Sequence, residues 1–301
     1  MRSVMMPKRN SETTFAYAIA SPALLIVAGV VLLPLATTLV YSLLNLQLTS
    51  VSRGHFVGLA NYKDILSSRE FWAALGRTAY FTVTSTALET VLGLFIALLL
   101  NESFPGVRFL RSVVILPWAI PTIVNGSLWK WIYNGEYGIM NALFLKLGLI
   151  GEYRSWLSDP FAAMNLVVVA DAWKMTPLAA IFFLAALQSV NRATYEAATV
   201  DGAGVLRRFF SLTLPYMTPT ILVVLVMRTV EKFKAFDVFY MITRGGPANG
   251  TKVLMYETYL KAFTNLDYSG ASTYGYLFVI IIASLTAVYI KALRKSEDMN
   301  A

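Results

Sequence analysis

The chain has no cysteine and a single histidine, His55, in 301 residues. Without thiols there is no disulfide framework and no thiolate metal site. One histidine is too few for a zinc cluster or for histidine-based acid–base chemistry, so no metal site is expected. Charge is scarce as well, at 14% of residues against about 25% in soluble globular domains. That excludes an ordinary soluble domain. What fills the chain instead is apolar: 57% of residues are hydrophobic and the mean hydropathy is +0.60, the composition of a polytopic membrane protein embedded in lipid. The formal charge of +8 is scattered rather than gathered on one face. No nucleic-acid partner is expected, because in a membrane protein a basic excess marks cytoplasmic loops.

About 20 mostly apolar residues are needed to cross a bilayer core as a helix, and six segments qualify. The first lies in the uncharged run 13–52, densest from Phe15 to Tyr41. The second lies between Arg77 and Glu102, interrupted by Glu89. The third runs from about Arg111 to Trp131, bent by Pro117 and Pro121. The fourth covers Phe161 to Val190, the fifth starts near Tyr216 and becomes charged past Met227, and the sixth runs from Tyr268 to Ile290. The first follows Lys8 and Arg9 but is far longer than the 7–15-residue core of a signal peptide, so it reads as a retained span. The expected fold is an all-α membrane protein of six transmembrane helices in one domain, 1–301. An even number of spans places both termini on one side. Basic residues divide nearly evenly between the two sides, but those of the shorter segments hug the span ends, which makes the termini cytoplasmic, with 1–14 as a tail.

The segment between spans four and five, about 191–215, carries the most information. It reads Tyr195-Glu196-Ala197-Ala198-Thr199-Val200-Asp201-Gly202-Ala203-Gly204, continues through Arg207-Arg208-Phe209-Phe210 and closes at Leu214-Pro215. This is the pattern of two short helices hinged at glycine. Asn191 or Thr194 can cap the first through a side-chain oxygen. Gly202 permits the positive φ that ends it. Leu206, Phe209, Phe210 and Thr213 recur at helical spacing and give the second helix a packing face. Pro215 and Pro219 mark the turn into span five.

Glu-Ala-Ala, three residues, Gly, and Leu-Pro twelve residues beyond that Gly resemble the signature loop of ABC importer permeases. Gly58-Leu59-Ala60-Asn61-Tyr62, Gly93 through Leu100 with Asn101, Trp173 with Pro177, and Leu187-Gln188 resemble the sugar and glycerol-3-phosphate permeases of the same group. So does Thr243-Arg244-Gly245-Gly246-Pro247 with Thr251, an element similar to that of the first of two permease subunits. Asn191-Arg192 departs from the more usual Ile-Pro before the loop. The resemblance implies a compact type I importer permease in a bacterial inner membrane, with its coupling helices in a groove of an ATPase subunit. The partners it implies are a second, homologous permease, two ATP-binding-cassette subunits and an extracytoplasmic solute-binding protein.

Charges inside spans need a reason, since each costs about 2.5–3.5 kcal/mol at mid-helix by insertion scales. Asp171 and Lys174 are three apart and can pair on one helix face; they either neutralise each other near the outer boundary or line a translocation path. Trp173 between them could stack on a sugar ring. Arg228, Glu231, Lys232, Lys234 and Asp237 make the second half of span five polar, which suits either a water-filled path or an early exit from the membrane. Glu89 stands alone in span two and is expected to pack against another helix.

Gly245 to Lys252 superficially resembles a phosphate-binding loop, but its order is Gly-Thr-Lys rather than Gly-Lys-Ser/Thr, and no strand or helix start is expected around it. No cofactor is therefore expected in this chain, and ATP hydrolysis falls to the partners. No nucleophile–base constellation is present, so the chain reads as a transporter subunit and not an enzyme. A membrane-embedded enzyme using Asp171 or Glu231, and a passive channel, are the alternatives from other classes. Within importers, sugar and glycerol-3-phosphate both remain open. Phosphate would favour Arg228, Lys232 or Lys234, and a neutral sugar would favour Trp, Tyr, Asn and Asp contacts.

Overall fold

The computed structural model describes residues 9–49 and 54–300. Fifteen helices follow in chain order: α1 (Arg9–Val27), α2 (Leu33–Ser42), α3 (Ala60–Ser67), α4 (Arg69–Asn101), α5 (Val107–Val114), α6 (Leu116–Ala119), α7 (Thr122–Ile132), α8 (Ile139–Lys146), α9 (Pro160–Ser189), α10 (Arg192–Val200), α11 (Val205–Arg208), α12 (Leu214–Phe233), α13 (Asp237–Ile242), α14 (Leu254–Tyr259) and α15 (Tyr268–Asn300). Two-residue strands β1 (Leu44–Asn45) and β2 (His55–Phe56) pair antiparallel. Among the described residues five helices are long and apolar enough to cross a membrane: Tyr17–Ser42, Arg69–Asn101, Pro160–Ser189, Val205–Phe233 and Tyr268–Lys291. The pair Val107–Ala119 and Thr122–Ile132 makes a sixth if counted as one span. It is bent by 93°, much more sharply than a proline kink. The break falls at Ile120-Pro121, both extended. Of the expected N-terminal tail, residues 1–8 lie outside the described residues, and helix begins at Arg9.

The chain divides into two compact units. The first comprises residues up to Ser67 with Lys261–Leu277. Its described apolar side chains in α1 and α2 are nearly all exposed, as lipid-facing residues are. Below them Asn61 donates its Nδ2 to the carbonyls of Ser42 and Leu44, each at 2.8 Å. The Tyr62 hydroxyl lies 2.8 Å from Ser42 Oγ. Asn61 of the Gly58–Tyr62 motif thus satisfies carbonyls at the end of a span, while Tyr62 holds the Ser42 side chain. Tyr276 of α15 donates to the Leu35 carbonyl at 2.6 Å.

The second unit, Ser68–Leu260 with Phe278 onward, carries the site. Its α4 is 33 residues long, about 50 Å at 1.5 Å per residue, and starts at Ser68, whose side chain accepts from Phe71 N. Asp159 caps α9 in the same way, accepting from Ala162 N at 2.7 Å. α4 and α9 run together along most of their length. They can because Gly93 has no side chain: a Cβ there would stand 2.9 Å from Ala179 Cβ and 3.1 Å from Ala180 N. Without a hydrophobic drive inside lipid, such small-residue contacts let helices approach closely. Gly126 plays the same part between α7 and α13, where a Cβ would meet Met241 Cβ at 2.7 Å.

Span five departs from expectation. Instead of a second short helix and a turn at Pro215 and Pro219, α11 runs into α12 through a π-helical stretch at Phe209–Thr213. There the Leu214 amide donates to the Phe209 carbonyl five residues back. The wider turn lies just ahead of the Pro215 ring, which therefore does not end the helix.

Candidate substrate cavity and coupling loop

Charged side chains from three spans meet inside the second unit. Glu89 of α4 is fully buried. Its Oε2 accepts from Arg228 Nε at 2.8 Å, and its Oε1 lies 2.5 Å from Lys232 Nζ. Arg228 and Lys232, one helical turn apart on α12, are also buried. Arg228 reaches on to Glu231, and Lys232 to Asp171 of α9. The result is a chain, Glu231–Arg228–Glu89–Lys232–Asp171, in which each cation holds two carboxylates. A buried charge is tolerable only when partnered in this way. Lys174, also buried, makes no ion pair with Asp171; its Nζ lies 3.9 Å from Met175 Sδ. The expected Asp171–Lys174 pair is thus replaced by Asp171–Lys232, because Lys232 reaches Asp171 and Glu89 at once. Glu89 is the centre of the network and not a lone packed residue.

The charged half of span five, open in sequence to a polar path or an early exit, turns inward. Arg228 and Lys232 are buried among protein groups rather than facing lipid. The helix ends at Phe233, and α13 begins at Asp237 after a short break. At that break lies a cavity of about 150 Å³. Asp171, Arg228, Glu231 and Lys232 line it, with Lys234 and Asp237 on the span-five side and Thr122 on the other. Thr122 is the first residue of α7, an end with no side-chain cap. Two interrupted helices therefore meet at one polar cavity, as in membrane sites built from discontinuous helices. Trp173 does not line it. That ring packs edge-to-face on Trp129 with centroids 5.8 Å apart.

The loop at the other end of α9 is built largely as its residues dictate. Asn191 caps α10, its Oδ1 accepting from Ala193 N at 2.9 Å. Gly202 sits at φ +76°. Its amide donates to the Thr199 carbonyl and the Ala203 amide to that of Ala198, the paired closure that a left-handed residue makes possible. The Tyr195 hydroxyl lies 2.8 Å from Thr213 Oγ1, and Arg208 Nη1 donates to Thr199 Oγ1 at 2.7 Å. These bonds brace α10 against the foot of span five. Glu196, Ala197, Asp201, Gly202 and Arg207 project into the open, whereas Ala198, Arg208 and Leu214 are half-buried and Pro215 is exposed. The packing face expected of the second helix is only partly covered: Thr213 is buried, but Leu206 and Phe210 are 74% and 62% exposed.

The loop Thr243–Thr251 is folded on itself rather than open to phosphate. Thr251 Oγ1, fully buried, lies 2.6 Å from Thr243 Oγ1 and 2.7 Å from the Gly246 carbonyl. Contrary to expectation a helix, α14, does start at Leu254, three residues after Thr251. Lys252, however, is engaged by Glu257 at 2.9 Å and Glu70 at 3.2 Å. Burial works against its charge, but those carboxylates outweigh it and hold the ammonium above its ordinary range.

The ion pairs of Glu89, the place of Thr122 and the Tyr195–Thr213 bond are not legible in the sequence. Only Glu89 left a signal, as a carboxylate in an apolar run with two cations a turn apart in another span.

Residues 89–294 match the family described as "Binding-protein-dependent transport system inner membrane component". The chain is 39% identical to the trehalose/maltose transport system permease protein MalF of Thermococcus litoralis, over 95% of this chain and 96% of that one. It is 33% identical to the sulfoquinovosyl glycerol transport system permease protein SmoG of Agrobacterium fabrum, over 95% and 92%. Its fold is that of a bacterial ABC transporter involved in import of the polysaccharide alginate, with a TM-score of 0.81 at 20% identity, covering 95% and 96% of the two chains. The helical architecture, the multi-pass membrane character and these matches agree: the chain belongs to the binding-protein-dependent ABC transport family, as an inner-membrane permease component that works with a binding protein.

Proposed function

We propose that the protein carries a neutral sugar across the inner membrane as one of two homologous permease subunits, driven by two ATPase subunits that grip the loop 191–215. The observation that carries the substrate reading is the pairing of Arg228 and Lys232 with Glu89, Glu231 and Asp171. Cations already compensated by carboxylates are poor receptors for glycerol-3-phosphate, whereas carboxylates at a cavity wall accept hydrogen bonds from sugar hydroxyls. The printed names of two relatives point to carbohydrate, neutral for trehalose/maltose and sulfonate-bearing for sulfoquinovosyl glycerol.

The cavity of about 150 Å³ is smaller than the roughly 300–1,000 Å³ of small-molecule sites. A second permease supplying the remaining wall accounts for the shortfall. The exposed Glu196 and Ala197 of α10, with Asp201 just after it, form a narrow acidic knob suited to a groove with a basic residue on an ATPase. Adenine nucleotide is bound there and not in this chain. Substrate-stimulated ATP hydrolysis by the reconstituted complex, with its binding protein, tests the reading across neutral sugars and glycerol-3-phosphate. Stimulation by a neutral sugar supports it; stimulation by glycerol-3-phosphate alone overturns the substrate class.

A further inference from the structure

Glu89 does not line the cavity, yet it touches Arg228 and Lys232, the two buried cations that do. Resting on the sugar-path reading, we propose that Glu89 is a specificity-determining residue acting from behind the wall: its charge holds the cavity neutral and so excludes anions. The balance is visible in the residues. Arg228 and Lys232 at the wall, with Lys174 buried outside the lining, supply three positive charges. Asp171 and Glu231 offset two of them, and Glu89 supplies the third negative charge. Lys234 and Asp237 at the exposed mouth add one charge of each sign. With Glu89 the set cancels; without it the cavity carries one uncompensated positive charge in a place water screens poorly.

The second effect is positional. Glu89 accepts from Arg228 Nε, leaving Nη1 for Glu231. Glu231 and Asp171 are thereby held at the wall as hydrogen-bond acceptors. Released from Glu89, Arg228 keeps Glu231 and Lys232 keeps Asp171, but each gains an N–H donor that no carboxylate holds beside the cavity. An acceptor-rich wall becomes a donor-rich one, and the preferred ligand shifts from hydroxyl donor to oxyanion.

The chain has no cysteine, so a single Thr122→Cys places one thiol at the cavity. In a complex otherwise free of cysteine, its reaction rates with an anionic sulfonatoethyl and a cationic trimethylammonioethyl methanethiosulfonate report the local charge without requiring substrate. Glu89→Gln is expected to raise the anionic-to-cationic rate ratio about tenfold, while Glu89→Asp leaves it within about twofold of the parent. If Glu89→Gln does not assemble, the comparison is made between Lys232→Met and the Lys232→Met/Glu89→Gln double variant, where the same tenfold step is expected. An unchanged ratio on removal of Glu89 overturns the proposal, since Glu89 would then hold its neighbours without biasing the cavity. Because the readout needs no sugar, it stands apart from the ATPase assay: failure of every sugar to stimulate hydrolysis defeats the transport reading and leaves this result intact.

Discussion

Arg228 on span five donates its Nε to Glu89 Oε2 on span two at 2.8 Å, and both side chains are buried. The two residues are 139 positions apart in the chain. Their bond, with that of Lys232 to Asp171, ties the spans that frame the cavity to one another.

Breaking one partner should therefore be worse than removing both. Arg228→Met leaves Glu231 without its partner and Glu89 with only Lys232, which it shares with Asp171, at a cost of about 3–5 kcal/mol for a buried pair. The double variant Glu89→Leu/Arg228→Met should recover part of that loss. The unfolding midpoints of the purified complexes read the difference. Equal losses in the single and double variants would show that the pair does not couple the spans.

Close helix contact supplies a second check. Gly93→Val puts a branched side chain where a Cβ already lies 2.9 Å from Ala179 Cβ. Overpacking of this kind costs about 1–3 kcal/mol. Lower thermal stability of the complex is expected, with recovery when Ala179→Gly is added. Gly93→Val with a parental midpoint would contradict the α4–α9 crossing described here.

The cavity predicts different outcomes for two residues near span four. Ala235→Trp fills space lined by Asp171 and Lys232 and should reduce sugar uptake at least about tenfold while the complex still assembles. Trp173→Ala loses an aromatic contact of about 0.5–1.5 kcal/mol with Trp129 and should affect stability more than substrate affinity. Uptake that collapses in Trp173→Ala but survives in Ala235→Trp would move the path to the other face of span four.

Orientation is open to the same thiol chemistry. A cysteine at Thr199 should react with an impermeant reagent only in inside-out vesicles, and one at Tyr153 only from outside intact cells. The reverse pattern would invert the topology.

The parts legible in the sequence are those governed by neighbours. Asn191 could be read as a cap and Gly202 as a left-handed stop, because both effects act within one helical turn. The spans were legible because their apolar runs are set by bilayer thickness. The charge network was not. Asp171 has Lys174 three residues away, and local spacing favours that pair, yet Lys232, 61 positions on, is the partner. Only the packing of α4, α9 and α12 brings those groups together. The π-helical stretch at Phe209–Thr213 hid for a related reason: Pro215 and Pro219 read as breakers, and a widened turn leaves no mark in the sequence. The 93° break at Ile120-Pro121 was visible as proline but not in its size.

ATP hydrolysis by the assembled complex reads out whether α10 is the element through which the permease is driven. Gly202 holds φ +76°, so Gly202→Val forces a β-branched residue into a left-handed turn at about 1–2 kcal/mol. Glu196→Lys reverses the charge of an exposed residue at the knob. Both variants are predicted to lose sugar-stimulated hydrolysis, or the ATPase itself on co-purification, while the binding protein still takes up its sugar. If both hydrolyse ATP and transport like the parent, this loop is not the coupling element and the account fails.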